Sequence, residues 1–188
     1  MTERFWLFCI LSYLSGTIAF GKIIGKLHGV DIQKKGSGNI GFANVRRTLG
    51  WSAGVIVLAG DMLKGFVPVF AFKKYLTDPQ IMIVALLAIL GHIFPLWLRF
   101  KGGKGVATGL GATLAINLWI GLVSISIYLM GVAIFRKSAP SSLAAIWSLP
   151  LLSLVFLRDF SWFFALVALI ITWTHRDNIS QLLNEARL

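Results

Sequence analysis

Charge, acidic side chains and cysteine are all scarce in this 188-residue chain. Only 13% of the residues are charged, about half the share in a typical soluble domain, and 57% are hydrophobic. The single cysteine, Cys9, excludes an internal disulfide and a thiolate metal cluster, and the three histidines lie in three separate regions that give no metal-binding spacing. We therefore predict an all-α integral membrane protein, one polytopic domain over residues 1–188, with no metal and no other cofactor.

The chain also lacks the common signatures of nucleophilic catalysis and nucleotide binding. There is no G-x-S-x-G motif, no catalytic pair of carboxylates, and no aspartate five positions after any histidine. The G-x-G-x-x-G pattern of Gly36, Gly38 and Gly41 follows no predicted strand, which argues against a Rossmann fold. Leu98 stands where a P-loop ending in Lys104 needs glycine. An enzyme with this sequence must therefore act on a substrate that is already activated.

Apolar runs fill most of the chain. We predict a compact bundle of about seven transmembrane helices, rather than five or six, although several runs are shorter than the ~20 residues of a full span. Small residues are frequent in the fourth run, which favours close helix packing in lipid. The fourth and fifth runs are nearly continuous and could form one bent element. The seven runs cover residues 5–24, 51–72, 81–98, 106–117, 118–135, 143–157 and 161–173.

Basic residues outnumber acidic ones by 18 to 7, and the formal net charge is +11. With seven spans and the N-terminus outside, most of these cations fall in cytoplasmic loops, as the positive-inside rule requires. The same arrangement places two glycine-rich basic stretches and the C-terminus on the cytoplasmic face, whereas six spans would put the tail on the opposite side. Aromatic residues are interleaved with apolar residues and not with basic ones, so we expect no nucleic-acid binding.

The two glycine-rich stretches are candidates for phosphate binding. The first covers residues 36–41 and is followed by Arg46 and Arg47, and the second covers residues 101–105. Glycine lets backbone N–H groups converge on an anion, and Lys or Arg adds charge. The alternative for each stretch is an ordinary basic turn between helices.

Ionisable residues within or beside the apolar runs supply further candidates. Asp61 and Lys64 lie three positions apart on one helix face, and a mutual structural ion pair is the favoured interpretation. His92 lies shortly before the second glycine-rich stretch, and His175 closes the last run. Each histidine either faces interfacial water or takes part in phosphate contact or proton transfer.

Four blocks of the sequence resemble the bacterial acyl-phosphate:glycerol-3-phosphate acyltransferases, the PlsY family. Residues 36–50 follow the family pattern G-S-G-N-x-G-A-T-N-x-x-R-x-x-G, and residues 91–95 and 100–108 read G-H-I-F-P and F-K-G-G-K-G-V-A-T. Residues 175–179 match H-R-x-N-I, and residues 61–68 fit D-x-x-K-G-x-x-P. The resemblance implies a seven-helix protein of the bacterial cytoplasmic membrane, with these blocks gathered on the cytoplasmic side.

The resemblance further implies transfer of a fatty acyl group from acyl phosphate to the 1-hydroxyl of glycerol 3-phosphate. The products are lysophosphatidic acid and phosphate, in the first step of phospholipid synthesis. It implies no cofactor, and we expect a monomer in the bilayer. The catalytic residues implied are Ser37, Arg47, Lys104 and His175. The substrate-binding residues implied are Gly36, Gly38, Asn39, Gly41, Asn44, His92, Lys101, Gly102, Gly103, Gly105 and Asn178.

The chain departs from the family pattern in three places. Phe42 and Ala43 replace an Ala-Thr pair, and the missing threonine hydroxyl removes a hydrogen bond worth about 1.5–3 kcal/mol if it binds phosphate. Gln181 replaces an arginine, and residues 184–187 replace a closing G-x-E. The main alternative hypothesis is a non-enzymatic membrane carrier of phosphate or an organophosphate. The lack of an inverted repeat, and the position of all candidate ligands on one face, favour the enzyme.

Overall fold

The computed structural model describes residues 2–185, and the regular structure over that range is helical. The chain separates into two compact units, Met1–Ile116 and Asn117–Leu188. The single domain expected from the sequence stays a prediction. The first unit contains α1 (Thr2–Thr17), α2 (Phe20–Leu27), α3 (Phe42–Leu49), α4 (Trp51–Phe72), α5 (Asp78–Ile93) and α6 (Val106–Ile116). The second unit contains α7 (Leu118–Phe135), α8 (Ser138–Phe156), α9 (Ser161–Thr174) and α10 (Arg176–Glu185).

Every predicted apolar run forms helix over most of its length, and five helical segments are long and apolar enough to cross a membrane. α6 has 11 residues and α9 has 14, so both are shorter than these five. The count of seven spans and the orientation of the N-terminus stay predictions. The five long segments are Glu3–Leu27, Trp51–Tyr75, Asp78–Leu98, Leu118–Phe135 and Ser138–Phe156.

Three boundaries differ from the predicted runs. The first run is interrupted, since α1 ends at Thr17 and α2 begins at Phe20. The α-helix of the third run ends early because Pro95 disfavours helical backbone at the residue before it, and only a short 3-10 turn follows. The fourth and fifth runs are separate helices and not one bent element, because the Asn117 side chain accepts a hydrogen bond from Ile120 N–H and caps α7.

In the first unit, α4 packs against α6, α3 and α1, and α1 packs against α5. The contact between α4 and α6 brings backbone close to backbone. A Cβ atom at Gly65 would lie 2.1 Å from the Thr108 carbonyl oxygen, and one at Gly111 would lie 2.0 Å from the Met62 carbonyl oxygen. This is the close packing that small residues in the fourth run predicted. A buried apolar cluster holds the segment before α3, and α3 itself, on α4; it consists of Ile32, Val45, Ala53 and Val57.

In the second unit, α8 packs against both α7 and α9. The hydroxyl oxygens of Ser124 on α7 and Ser148 on α8 lie 2.9 Å apart. Trp147 Nε1 of α8 donates a hydrogen bond to Thr172 Oγ1 of α9 at 3.0 Å. Hydrogen bonds of this kind help helices to associate in lipid, where burial of apolar surface gives little driving force.

Large apolar side chains are exposed on most of the helices. Leu27, Trp97 and Val155 are 76%, 71% and 78% exposed, for example. Apolar surface on this scale marks a membrane-facing protein. Together with the five long apolar segments, it makes the chain a multi-pass membrane protein.

Candidate active site

The segment between α2 and α3 begins with a short polar frame. Asp31 caps the 3-10 turn Ile32–Lys34, and its carboxylate accepts a hydrogen bond from Gln33 N–H at 3.2 Å. Lys22 of α2 lies 2.5 Å from the same carboxylate. The hydrogen bond from the Lys22 ammonium holds the pKa of Asp31 below its usual range. The chain is therefore fixed just before the first glycine-rich stretch.

Asn44, in the first turn of α3, organises that stretch from a buried position. Its Oδ1 accepts a hydrogen bond from Ser37 N–H at 2.9 Å. Its Nδ2 donates to the carbonyl oxygens of Ile32, Lys35 and Asn39 at 3.3, 3.0 and 2.9 Å. The backbone thus turns around one amide group, and the geometry gives Asn44 a loop-forming role. The substrate contact predicted for Asn44 stays a prediction.

The turns around Asn44 leave part of the stretch open to solvent. Gly36 and Gly38 have left-handed backbone, with φ of 55° and 71°. Asn39 Oδ1 accepts a hydrogen bond from Gly41 N–H at 2.8 Å, where α3 begins. Ser37 is exposed between the two left-handed glycines, so its hydroxyl is accessible to a polar ligand.

The adjacent arginines of α3 have different surroundings. The Arg46 guanidinium lies 4.5 Å from the centre of the Trp51 ring and 5.8 Å from that of Phe42. Phe42, one of the departures from the family pattern, therefore belongs to an aromatic contact with Arg46. Arg47 is exposed, and its side chain makes no hydrogen bond or ion pair with any residue in the described range 2–185. A guanidinium in this position is available to an anion.

The second glycine-rich stretch folds back onto the end of α5. Gly102 N–H and Gly103 N–H donate hydrogen bonds to the carbonyl oxygens of Ile93 and His92, both at 3.0 Å. A Cβ atom at Gly103 would lie 2.0 Å from His92 Nε2, so a larger residue does not fit there. The two N–H groups cap open carbonyls of α5 and are not free to form the predicted anion nest. These two glycines therefore shape the loop, and their substrate-binding role stays a prediction.

One polar contact joins the turn before the first glycine-rich stretch to the second stretch. Gln33 Nε2 donates a hydrogen bond to the Lys101 carbonyl oxygen at 3.1 Å. Lys101 is exposed and Lys104 is half-buried. α6 begins two residues after Lys104, so the positive end of its dipole lies beside that lysine. The first unit thus links the segment that leads into the first stretch to the second stretch, and the sequence selected both stretches for phosphate binding.

A buried ionic cluster connects α4 to the end of α5. Lys64 Nζ lies 2.8 Å from Asp61 Oδ1, so the two residues that were predicted to pair are in contact. His92 Nδ1 lies 3.5 Å from the same oxygen. The exposed fractions of Asp61, Lys64 and His92 are only 2%, 4% and 3%. The sequence did not indicate that His92 joins this pair.

The remaining predicted site residues, His175 and Asn178, belong to the second unit, where α9 meets α10. His175 is buried, and its Nδ1 donates a hydrogen bond to the Ile171 carbonyl oxygen at 2.8 Å, since a carbonyl can only accept. A neutral ring with this bond carries its lone pair on Nε2. The far end of α10 is held by an ion pair between Glu185 and Lys137, and that contact keeps the pKa of Glu185 below its usual range.

The other departures from the family pattern lie on α3 and at the tail. Ala43 is half-buried on α3. Gln181 of α10 donates a hydrogen bond to Glu185 at 3.2 Å. Ala186 and Arg187, part of the altered tail, lie outside the described residues.

A family model described as glycerol-3-phosphate acyltransferase matches residues 6–185. The chain belongs to this family. A glycerol-3-phosphate acyltransferase of Wolbachia pipientis subsp. Culex pipiens (strain wPip) is 42% identical over 180 residues, which are 95% of this chain and 94% of the relative. A protein of Thermotoga maritima named glycerol-3-phosphate acyltransferase 2 is 40% identical over 182 residues, 95% of this chain and 93% of that protein.

Solved structures of the family agree with the fold. The crystal structure of PlsY (YgiH), an integral membrane glycerol 3-phosphate acyltransferase, matches with a TM-score of 0.92 in its glycerol 3-phosphate form. Its lysophosphatidic acid form matches with a TM-score of 0.90. Each is 36% identical to this chain, and each match covers 97% of this chain and 93% of the other. The resemblance to the PlsY family is confirmed, the chain is an acyltransferase, and the carrier hypothesis gains no support.

Sequence reasoning missed two residues of the first unit that shape the site. Asp31 caps the turn that precedes the first stretch, and Gln33 joins this turn to the second stretch. An aspartate at the start of a polar turn is a recognisable capping pattern, so Asp31 had a signal in the sequence. Gln33 had none, because its partner is a backbone carbonyl 68 positions away.

Proposed function

We propose that the protein transfers a fatty acyl group from acyl phosphate to the 1-hydroxyl of glycerol 3-phosphate, giving lysophosphatidic acid and phosphate. This reaction is the first step of phospholipid synthesis. The observation that carries the proposal is the hydrogen bond from Gln33, three residues before the first glycine-rich stretch, to Lys101 of the second, which links two cationic segments of the first unit. Two anionic substrates require such a concentration of positive charge. The glycerol 3-phosphate and lysophosphatidic acid forms of the PlsY structure support this choice of acceptor and product.

The reaction balances without a cofactor. The 1-hydroxyl oxygen attacks the acyl carbonyl carbon, and a new ester bond forms. The bond from that carbon to the bridging oxygen breaks, and its electron pair leaves with phosphate. The hydroxyl proton passes to a phosphate oxygen of a substrate, so the enzyme needs no base of its own. Turnover retained in a His175 variant would support this route, whereas lost turnover with intact binding would assign the proton transfer to His175.

The residues of the two stretches then orient the substrates and neutralise charge. We assign neutralisation of the phosphate charge to Arg47 and Lys104. We assign to Ser37 a hydrogen bond that its hydroxyl donates to the phosphate. Holding two reactants in the reacting geometry is a large part of the rate gain when the substrate is already activated. His175 and Asn178 of the second unit keep the roles that the resemblance implies, in catalysis and in substrate binding.

We also propose the setting in which this reaction takes place. The protein is a monomer of the bacterial cytoplasmic membrane with seven spans, its N-terminus outside and its active site on the cytoplasmic side. The distribution of the 18 basic residues supports this orientation. Acyl phosphate then reaches the enzyme from the bilayer or the cytoplasm, and glycerol 3-phosphate from the cytoplasm.

The test is formation of lysophosphatidic acid from palmitoyl phosphate and glycerol 3-phosphate by the purified protein in detergent. Lys104→Ala is expected to lower kcat by about 10²–10³-fold, because one charge that stabilises the departing phosphate is lost. Lys74→Ala is the matched control, since Lys74 is an exposed lysine that stacks on Tyr75 at the end of α4. It is expected to turn over like the wild type.

The outcomes separate the function from the residue assignment. A folded wild-type protein that makes no lysophosphatidic acid, also after Phe42 and Ala43 are replaced by Ala and Thr, would overturn the proposed reaction. Full activity in Lys104→Ala would leave the reaction standing and remove Lys104 from the machinery.

A further inference from the structure

The buried ions of the first unit form a chain of contacts that ends at the second glycine-rich stretch. It starts at the interruption between α1 and α2, where Lys64 Nζ donates a hydrogen bond to the Ile18 carbonyl oxygen at 2.7 Å. On the same side, Ser15 Oγ of α1 donates to the Lys64 carbonyl oxygen at 2.9 Å. Both the side chain and the backbone carbonyl of Lys64 are therefore hydrogen-bonded to residues near the end of α1.

The chain of contacts continues through Asp61 to His92. Asp61 Oδ1 is the shared neighbour of Lys64 Nζ, at 2.8 Å, and of His92 Nδ1, at 3.5 Å. The same carboxylate oxygen therefore links the Lys64 side chain to the His92 ring. Since His92 is the penultimate residue of α5, which ends ahead of Pro95, Asp61 connects α4 to the end of that helix.

The last step leads from His92 into the loop that carries Lys104. The His92 carbonyl oxygen accepts a hydrogen bond from Gly103 N–H at 3.0 Å, and its ring Nε2 fills the space in which a Gly103 side chain would lie. Lys104 is the next residue of the chain. A displaced His92 must therefore displace the backbone from which the Lys104 side chain projects.

Stability alone is a weak reason for such a cluster. Buried ion pairs lose most of their attraction to desolvation, and well-packed apolar residues often replace them at no loss. Ionisable groups inside membrane segments are rare and mostly functional for the same reason. No substrate has to reach these three side chains for the cluster to matter, because the contacts already extend to the loop.

We propose that Asp61, Lys64 and His92 are positioning residues that hold the 101–105 loop, and with it Lys104, in the reacting place. This inference rests on the proposed function of Lys104. It gives His92 a role that differs from the direct phosphate contact expected from the sequence. The residue acts through Gly103 and need not touch the substrate.

The kinetic test is Asp61→Asn, which keeps the size of the side chain and removes its charge. We expect kcat to fall about 100-fold, the effect of displacing a catalytic group by about 1 Å, while KM for both substrates stays close to the wild-type value. Val69→Ala is the matched control, because Val69 is a buried residue of the same helix outside the cluster. It is expected to lower thermal stability and keep kcat. If Asp61→Asn does not fold, His92→Gln takes its place.

A second measurement does not depend on turnover. The rate at which an amine-reactive succinimidyl ester modifies Lys104, read by mass spectrometry, is expected to change severalfold in Asp61→Asn. The rate at the exposed Lys74 is expected to stay unchanged. Unchanged labelling of Lys104, or a wild-type kcat in Asp61→Asn, would overturn the proposal. A wild-type protein without turnover, whose Lys104 labelling still responds to Asp61→Asn, would overturn only the proposed function.

Discussion

At the scale of single residues, the shape of the candidate site depends on side chains that bind backbone groups. Asn44 uses both ends of its amide to shape the first glycine-rich stretch. Asp31 caps the turn that leads into it, and Gln33 joins that turn to the second stretch. A loop built in this way presents Ser37 in one conformation, which is what catalysis by orientation requires.

Replacement of Asn44 by aspartate should lower the stability of the protein by more than the small change in side-chain size suggests. Asn44→Asp puts a carboxylate oxygen where Nδ2 now donates to three carbonyl oxygens. We expect the free energy of unfolding in detergent to fall by about 3 kcal/mol or more, since buried acceptors would face one another without a proton. Asn39→Asp is the control, because Asn39 Oδ1 only accepts a bond from Gly41 N–H and a carboxylate can do the same. Equal stability of the two variants would contradict this account of Asn44.

The contact between Asp31 and Lys22 should make the stability depend on pH in one direction. The pKa of Asp31 is lower in the folded protein than in the unfolded chain, because Lys22 donates a hydrogen bond to its charged form. Its contribution is therefore present above the ordinary aspartate pKa and is lost as the pH falls through the lowered value. We expect the wild type to have a higher Tm than Asp31→Asn at about pH 7 and the difference to shrink as the pH falls below about 3.9, the ordinary aspartate pKa. A difference that grows towards low pH would contradict the assignment.

At the scale of helices, α4 is the element on which the first unit is assembled. It contacts α6 through two glycines that allow backbone to approach backbone, and it carries both Asp61 and Lys64. The same helix receives α3 and the first stretch through a buried apolar cluster. Packing and ionic contacts of both glycine-rich stretches therefore converge on one helix.

An added methyl group between α4 and α6 should disturb this assembly. Gly111→Ala would place a carbon atom 2.0 Å from the Met62 carbonyl oxygen, so the helices must separate. We expect a loss of about 1–3 kcal/mol in the free energy of unfolding, the usual cost of overpacking. Leu63→Ala, on the exposed side of α4, should change it by less than about 0.5 kcal/mol. Chemical unfolding in detergent measures both, and a smaller loss in Gly111→Ala than in Leu63→Ala would refute the close contact.

The position of a helix could be predicted where a long apolar run determines it, and not where tertiary contacts determine it. The runs 51–72 and 118–135 coincide with α4 and α7, because long apolar segments must satisfy their own backbone in a membrane. α3 was missed because its eight residues follow a glycine-rich stretch and are stabilised by the buried Val45 and Asn44. The interruption after Thr17 was missed because the bond from Lys64 that satisfies Ile18 comes from 46 positions away.

The candidate site shows the same division between local and distant contacts. The Asp61 and Lys64 pair could be predicted, since three positions on a helix place two side chains on one face. The attachment of His92 could not, because it depends on how α5 packs beside α4. The capping role of the Gly102 and Gly103 amides could not be predicted either. The sequence of a glycine-rich loop does not distinguish N–H groups that bind an anion from N–H groups that cap a helix end.

At the scale of the whole molecule, sequence and surface both indicate a protein solvated by lipid. Exposed leucine, tryptophan and valine side chains occur in both units. The excess of basic over acidic residues then has a topological meaning, because cations accumulate on the cytoplasmic side of a membrane. The orientation of the chain can therefore be tested without any enzymatic assay.

The proposed orientation predicts which sites share a side of the membrane. In a Cys9→Ser background, which removes the single native cysteine, Lys34→Cys and Asn184→Cys are expected to react with an impermeant thiol reagent in inside-out vesicles. Lys74→Cys is expected to react in right-side-out vesicles. All three positions are exposed in the structure, so access is limited by the membrane alone. Labelling of position 184 on the same side as position 74 would exclude an odd number of spans.

The ionic cluster on α4 also has a definite position along that helix. α4 has 22 residues, about 33 Å at 1.5 Å per residue, which matches the thickness of a hydrocarbon core. Asp61 comes ten residues after Trp51, the start of this helix, so its contact with His92 lies roughly 15 Å along α4. In the proposed topology, the side chains that hold the 101–105 loop then lie within the bilayer, while Lys101 of that loop is exposed. The proposed reaction would therefore take place where a lipid tail can stay among other tails while its polar end meets the cationic loop.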